Sequence, residues 1–224
     1  MQKFETPAAI TAVVDIPAGR IQVIAADRGD TTVEVRPADP GKGRDVKAAE
    51  DVQVGFAGGV LRVEAGPAKH KLMGHSGSVE VTVQLPAGSA LQARIAAGDV
   101  RGVGRLGETT VESAQGAIKL DETAGARLSV QDGGITVGRL GGGAAELTTQ
   151  RGDITVTEAV RGQVVLTAQQ GDLTIGAASG VSATLDAGTT MGRVTNSLNN
   201  TAGASAELSI RATTMQGDIT ARSV

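Results

Sequence analysis

The sequence predicts an all-β fold, a single-domain parallel β-helix with coils of about 18–21 residues, and three observations carry that expectation. A glycine-centred motif returns at a nearly fixed spacing. Short strands with period-two alternation flank each copy. The chain of 224 residues is 40% hydrophobic, enough for a core, yet has two Phe and no Trp or Tyr, so that core must be aliphatic.

The motif is plainest in the second half. Gln115-Gly116-Ala117-Ile118-Lys119-Leu120 reappears as Gly133-Gly134-Ile135-Thr136-Val137 and as Gln150-Arg151-Gly152-Asp153-Ile154-Thr155-Val156. It returns as Gln170-Gly171-Asp172-Leu173-Thr174-Ile175 and Gln216-Gly217-Asp218-Ile219-Thr220-Ala221, with Gly98-Asp99-Val100-Arg101 upstream. Gly98, Gly116, Gly134 and Gly152 lie 18 apart, and Gly171, Gly192 and Gly217 follow at 19, 21 and 25. A fixed period of this length means stacked units. Eighteen residues are too few for a βαβ unit, which needs about 30, but they suit one coil whose strands pair with their equivalents a coil away. Ile118, Ile135, Ile154, Leu173 and Ile219 then form an interior column. A second strand lies between glycines, as in Leu128-Ser129-Val130, Leu147-Thr148-Thr149, Leu166-Thr167-Ala168 and Leu208-Ser209-Ile210.

The first half, residues 1–95, follows the same grammar less regularly than 96–224. Ile16-Pro17-Ala18-Gly19 recurs as Leu85-Pro86-Ala87-Gly88, and strands read at 32–35, 60–63 and 79–83. No window of a dozen residues has a convincing helical stripe. The nearest is 44–54, where Val52-Gln53-Val54 argues strand. Polar insertions at 37–51, 66–78 and 196–205 interrupt the pattern, but no linker divides the chain.

Composition excludes several functions. The net charge of −3 leaves no basic excess for phosphates, so nucleic acid is not an expected partner. With no Cys, disulfides, thiolate metal sites and cysteine nucleophiles are absent. The start, Met1 to Pro7, lacks the apolar stretch of a signal peptide, and no run reaches the ~18 apolar residues of a membrane span. The expectation is a soluble cytoplasmic protein, or a surface protein if the chain is a processed fragment. Arg supplies 15 of the 21 basic residues, as in a GC-rich bacterial genome.

The Gly-Asp-Ile-Thr-Val units, following the Leu85-Pro86-Ala87-Gly88 strand, resemble the DUF4097 family of bacterial β-strand-repeat proteins. The resemblance runs along nearly the whole chain and is clearest over 79–224. It implies a right-handed parallel β-helix and an adhesin label, with no catalytic motif and no cofactor to carry over.

Each candidate site has a structural reading beside the functional one. His70 and His75 share a loop with no Asp or Glu, too few ligands for a metal, and read as a solvated tip. Asp99, Asp153, Asp172 and Asp218 could line up for calcium, but Ala117 and Gly134 interrupt them, so they read as turn formers bonding their own backbone. Thr136, Thr155 and Thr174 make an outward ladder that starts with Arg101 and Lys119, charges unsuited to an ice-binding face. Gln115, Gln131, Gln150, Gln170 and Gln216 precede the turn and read as an amide ladder closing it. The expected structural set is thus Gly98, Gly116, Gly134, Gly152, Gly171 and Gly217 with Gln115, Gln150, Gln170 and Gln216. Asp121 and Glu122 beside Arg127, and Glu158 near Arg161, are the carboxylates a glycosidase could use, although adjacent strand residues face opposite ways. Gly141-Gly142-Gly143 lacks the Lys-Ser/Thr of a phosphate loop.

The resulting expectation is a non-enzymatic scaffold or protein-interaction module with no cofactor or metal, its flat surface formed by Glu112, Ser129, Thr148 and Thr167. A polysaccharide-binding or polysaccharide-degrading protein is the alternative. The last strand, 219–224, has no coil after it in sequence and so offers an edge for self-association.

Overall fold

A computed structural model of the chain describes residues 1–66 and 77–224. In order it has β1 (Gln2–Glu5), β2 (Thr11–Ala26), β3 (Asp30–Pro37), α1 (Gly43–Asp51), β4 (Gln53–Ala57), β5 (Val60–Glu64), β6 (Val79–Pro86) and β7 (Ala90–Gln115). There follow β8 (Ile118–Asp132), β9 (Ile135–Leu140), β10 (Ala144–Arg151), β11 (Ile154–Ala159), β12 (Gly162–Gln170) and β13 (Leu173–Ala177). The chain closes with β14 (Ala183–Met191), β15 (Val194–Ser197), β16 (Leu208–Gln216) and β17 (Ile219–Ser223). The fold is all-β, and its strands join one open sheet rather than a closed barrel.

Alternation explains the stacking. In β10, Ala145, Leu147 and Thr149 are buried at every second position, and β11 resumes with buried Ile154 and Val156, the residues between them facing outward. Each strand pairs in parallel with its equivalent one repeat away, so identical positions align into columns across the tiers. The expected interior column forms in register: Ile118 on Ile135, Ile135 on Ile154, Ile154 on Leu173, and Leu173 on Ile219. All five are fully buried, each contributing about 1.5–3 kcal/mol of burial. Val100 and Ile21 extend the column toward the other end.

The order of tiers in space departs from the order in sequence at both ends. β16 and β17 do not follow β14 and β15 but lie between them and β12 and β13, paired on both sides. The expectation of a free edge at 219–224 is therefore wrong: the segment 198–207 lets the chain double back into a gap, and the outermost tier is β14 with β15. The beginning mirrors this. β2 pairs with β7 on one side and with β5 and β6 on the other.

The two ends differ. Beyond β5 and β6 the stack is closed by antiparallel strands, β4 on β5 and β3 on β6, with β1 on β3. Phe4 and Phe56, the only aromatics, stand 5.5 Å apart there. α1 packs on this end and corrects the strand reading of 44–54: only Val52 onward is extended, where β4 begins. Helix prevails at 43–51 because Asp45 favours a helix N-terminus and Ala48 and Ala49 pack on the core. The Asp45 carboxylate also accepts the Ser78 N–H at 3.0 Å, tying α1 to the start of β6. Among the described residues no helix is long and apolar enough to cross a membrane.

Candidate functional site

The repeat's distinctive residues meet at one corner of every tier, where the strand ending at Gln115, Asp132, Arg151, Gln170 or Gln216 turns into the next. A glycine makes that turn at positive φ, +127° at Gly116 for example. A Cβ there would sit 2.0 Å from the Gly98 carbonyl oxygen, so the corner backbones stack too closely for any side chain. The column runs Gly98, Gly116, Gly133, Gly152, Gly171, Gly217, Gly192. Gly133, not Gly134, is its member in that tier, because Ile118 pairs with Ile135 and sets Gly116 against Gly133. The equal 18-residue spacing misled: one tier is a residue shorter and the next a residue longer.

Gly134 instead occupies the aspartate column, with Asp99, Ala117, Asp153, Asp172 and Asp218. These aspartates do not bond their own turns, as the sequence suggests, but staple neighbouring tiers. Asp99 Oδ1 accepts the Ala117 N–H at 2.9 Å, Asp153 that of Asp172 at 2.8 Å, Asp172 that of Asp218 at 2.7 Å, and Asp218 that of Arg193 at 2.8 Å. The bonded Arg193 N–H, aided by its guanidinium, holds the Asp218 carboxyl below the usual carboxylate range.

The glutamines do not form one ladder. Gln115, Gln170 and Gln216 align with Asp132, Arg151 and Met191, and only Gln170 and Gln216 bond, at 3.1 Å. Gln131 and Gln150 lie in the adjacent outward column with Gln169 and Met215. The corner is closed instead by threonine hydroxyls: Thr149 donates to the Gly133 carbonyl at 3.0 Å, Thr214 to Gly171 at 3.1 Å, and Thr189 to Gly217 at 3.0 Å.

Beside this corner runs a groove of about 790 Å³ that crosses the tiers. Gln131, Gln150 and Gln169 line its middle with the Asp132–Arg151 ion pair, 2.9 Å, and Met191 and Met215 line it toward the outermost tier. The three glutamine amides have no hydrogen-bond partner among the described residues. The methionines were missed in the sequence because apolar side chains beside a turn read as core.

The other predicted residues are placed as follows. Glu112, Ser129, Thr148 and Thr167 form one outward column in register. Thr136, Thr155 and Thr174 stack on Lys119 and Arg101, and Thr220 and Thr195 prolong the row. Glu122 and Glu158 flank Arg139, and Glu158 is ion-paired with it. Asp121 accepts the Gly104 N–H at 3.2 Å. Arg127 lies on another face, 3.5 Å from Glu146. The structure thus does not gather Asp121, Glu122, Arg127 and Glu158 into one site. Gly141, Gly142 and Gly143 join β9 to β10. His70 and His75 lie outside the described residues. Among the described residues no group of three or more His, Asp or Glu is arranged to hold a metal ion.

Fold and corner define a class: an open all-β stack of short repeats with polar columns held in register on its surface. The chain belongs to the Toastrack DUF4097 family, which matches residues 13–223. It is similar in structure to a putative adhesin from Bacteroides fragilis (TM-score 0.50, 13% identity, 100% of this chain and 95% of that one). A putative adhesin from Parabacteroides distasonis matches with TM-score 0.45, 12% identity and coverage of 98% and 95%. A putative cell adhesion protein from Clostridium sporogenes matches with TM-score 0.34, 10% identity and coverage of 100% and 98%. At 13% identity the first likeness is one of fold. No curated protein sequence matches the chain.

Proposed function

We propose that the tiers wind as a right-handed parallel β-helix and that this rod is a non-enzymatic scaffold, adhesin-like, that presents its outward columns to a protein partner. The supporting observation is how its surface carboxylates are used. Asp99, Asp153, Asp172 and Asp218 bond backbone N–H groups of the next tier. Glu112, Asp132, Glu146, Glu158 and Asp186 are paired with arginines. General acid–base chemistry wants carboxylates free to exchange protons with a substrate, and these are engaged in holding tiers together. The name of the Bacteroides fragilis neighbour supplies the adhesive part of the reading.

A second reading is favoured by one feature. Gln131, Gln150 and Gln169 offer one uncommitted amide per tier along the groove. Amides both donate and accept, which suits sugar hydroxyls, and a pyranose ring is about as long as the spacing between tiers. A neutral linear polysaccharide could lie there.

Protease shaving of intact host cells, followed by photo-crosslinking from position 167 and from position 150, tests both. A discrete protein adduct at 167 on surface-exposed chain is the expected result. Chain confined to the cytosol removes adhesion. Retention of a polysaccharide on an array, lost in Gln150→Ala, moves the assignment to the groove. Release of reducing ends from that polysaccharide overturns the non-enzymatic reading.

A further inference from the structure

The outermost tier is an unfinished piece of the stack. The interior column fully buried from Ile118 to Ile219 ends at Val194, which is 45% exposed. The two neighbouring columns end at Leu185 and Ala187, half-buried. Met191 and Met215 are 56% and 59% exposed on the same end. Among the described residues β14 pairs only with β16 and β15 only with β17, so their outer backbone edges are open there. Asn199 fills one position, accepting the Ala183 N–H at 3.0 Å. From Leu185 onward the outer edge of β14 has no backbone partner among the described residues.

We propose that this end is covered by a second copy of the same chain, β14 of one against β14 of the other, antiparallel about a two-fold axis. Three observations select that occupant. The surface is an open backbone edge above half-buried aliphatic side chains, and another open end offers the same edge and the same cross-section, its strands reversed by the two-fold. The opposite end presents a different surface, because its last strands, β4, β3 and β1, run antiparallel to their neighbours and α1 packs beside them, so it does not repeat the parallel tier found at the open end. A self-matching surface with no complementary counterpart on the same chain makes a closed pair rather than a filament. Charge agrees. The only charged side chains of β14, β15 and their corner are Asp186 and Arg193, each neutralised within its own chain by Arg211 at 3.1 Å and Asp218 at 3.4 Å. Two open ends therefore meet without opposed net charge, although each chain carries −3. Exposed aliphatic edges of this kind are ones that folded proteins otherwise shield.

The chain has no cysteine, which makes the test clean. Light scattering of the unmodified protein is expected to give twice 22.4 kDa at micromolar concentration. Leu185→Lys, checked for an unchanged circular dichroism spectrum, is expected to halve that mass. Ala187→Cys is expected to form a disulfide-linked dimer on mild oxidation, while Thr167→Cys, in the middle of the stack, stays monomeric. A monomeric mass up to the millimolar range overturns the proposal, as does a dimer unaffected by Leu185→Lys. Preferential cross-linking of Ala187→Cys to Ala57→Cys on β4 of a second chain, rather than to itself, overturns the two-fold arrangement.

Discussion

At Gly116 and Gly134 the same substitution should have opposite importance. Alanine at Gly116 must take φ +127° and place its methyl 2.0 Å from the Gly98 carbonyl oxygen. The strain predicts a loss of about 2–3 kcal/mol. Alanine at Gly134, whose nearest neighbour is 3.3 Å away, is expected to cost less than about 1 kcal/mol. Urea unfolding of the two variants measures the difference; equal losses would refute the placement of Gly133 in the corner column. Ser113 offers a prediction of the other sign. Its hydroxyl is buried without a hydrogen-bond partner among the described residues, in the column where Val130 and Thr149 follow. Ser113→Ala is therefore expected to raise stability by about 1 kcal/mol, read as a higher unfolding midpoint. Neither residue stands out in the sequence, because a glycine doublet and a strand serine look alike wherever they fall.

Between tiers, the aspartate staples decide how the corner responds to acid. Asp218 has its carboxyl lowered in the folded state, first by the Arg193 N–H. A lowered folded value means the stabilisation is complete above the ordinary carboxylate pKa of 3.8 and is lost as pH falls through the folded value. The melting temperature of Asp218→Ala should thus lie below that of the unmodified chain at pH 7, and the gap should close as the pH falls below the ordinary carboxylate range and through the lowered folded value. A gap that persists in acid would remove the charge from the explanation. Asp30, held at about 2 by bonds to Arg28 and Lys3, acts in the same sense at the closed end. The register behind these staples was largely legible. Ile118 through Ile219 align as their alternation requires, and so do Glu112 through Thr167. The staples themselves were not, since an aspartate after a glycine serves its own turn as readily as its neighbour's. α1 was hidden for a related reason: from Gln53 the chain is strand, and the alternation of Val52-Gln53-Val54 obscured the helix that ends at Asp51.

Across the whole molecule, the family and the all-β stack could be read from the period, whereas the order of tiers could not. Spacing reports that Gly192 and Gly217 belong to successive repeats of the chain; it carries no information on which repeat lies outermost. The length of the 198–207 segment was the one signal, and it reads equally well as a wider coil. The order has a measurable consequence. Deleting residues 208–224 removes the strands with which β14 and β15 pair among the described residues, so hydrogen exchange should show 183–197 unprotected while 118–177 keeps its protection. Retained protection at 183–197 would mean that this tier can dock directly on β12 and β13.

Placing the last strands of the chain inside the stack also sets a clock on its biogenesis. A ribosome delivers β14 and β15 before the segment that must lie beneath them exists, and while β16 and β17 are still in the exit tunnel nothing holds the outer tier in place. The nascent chain can add tiers up to β13 and then must wait for β16 and β17. A chain interrupted before β16 would leave β12 and β13 uncovered and β14 and β15 without the strands they pair with. The outer tier is thus made before the strands that secure it, and it is held only once they have slid beneath it.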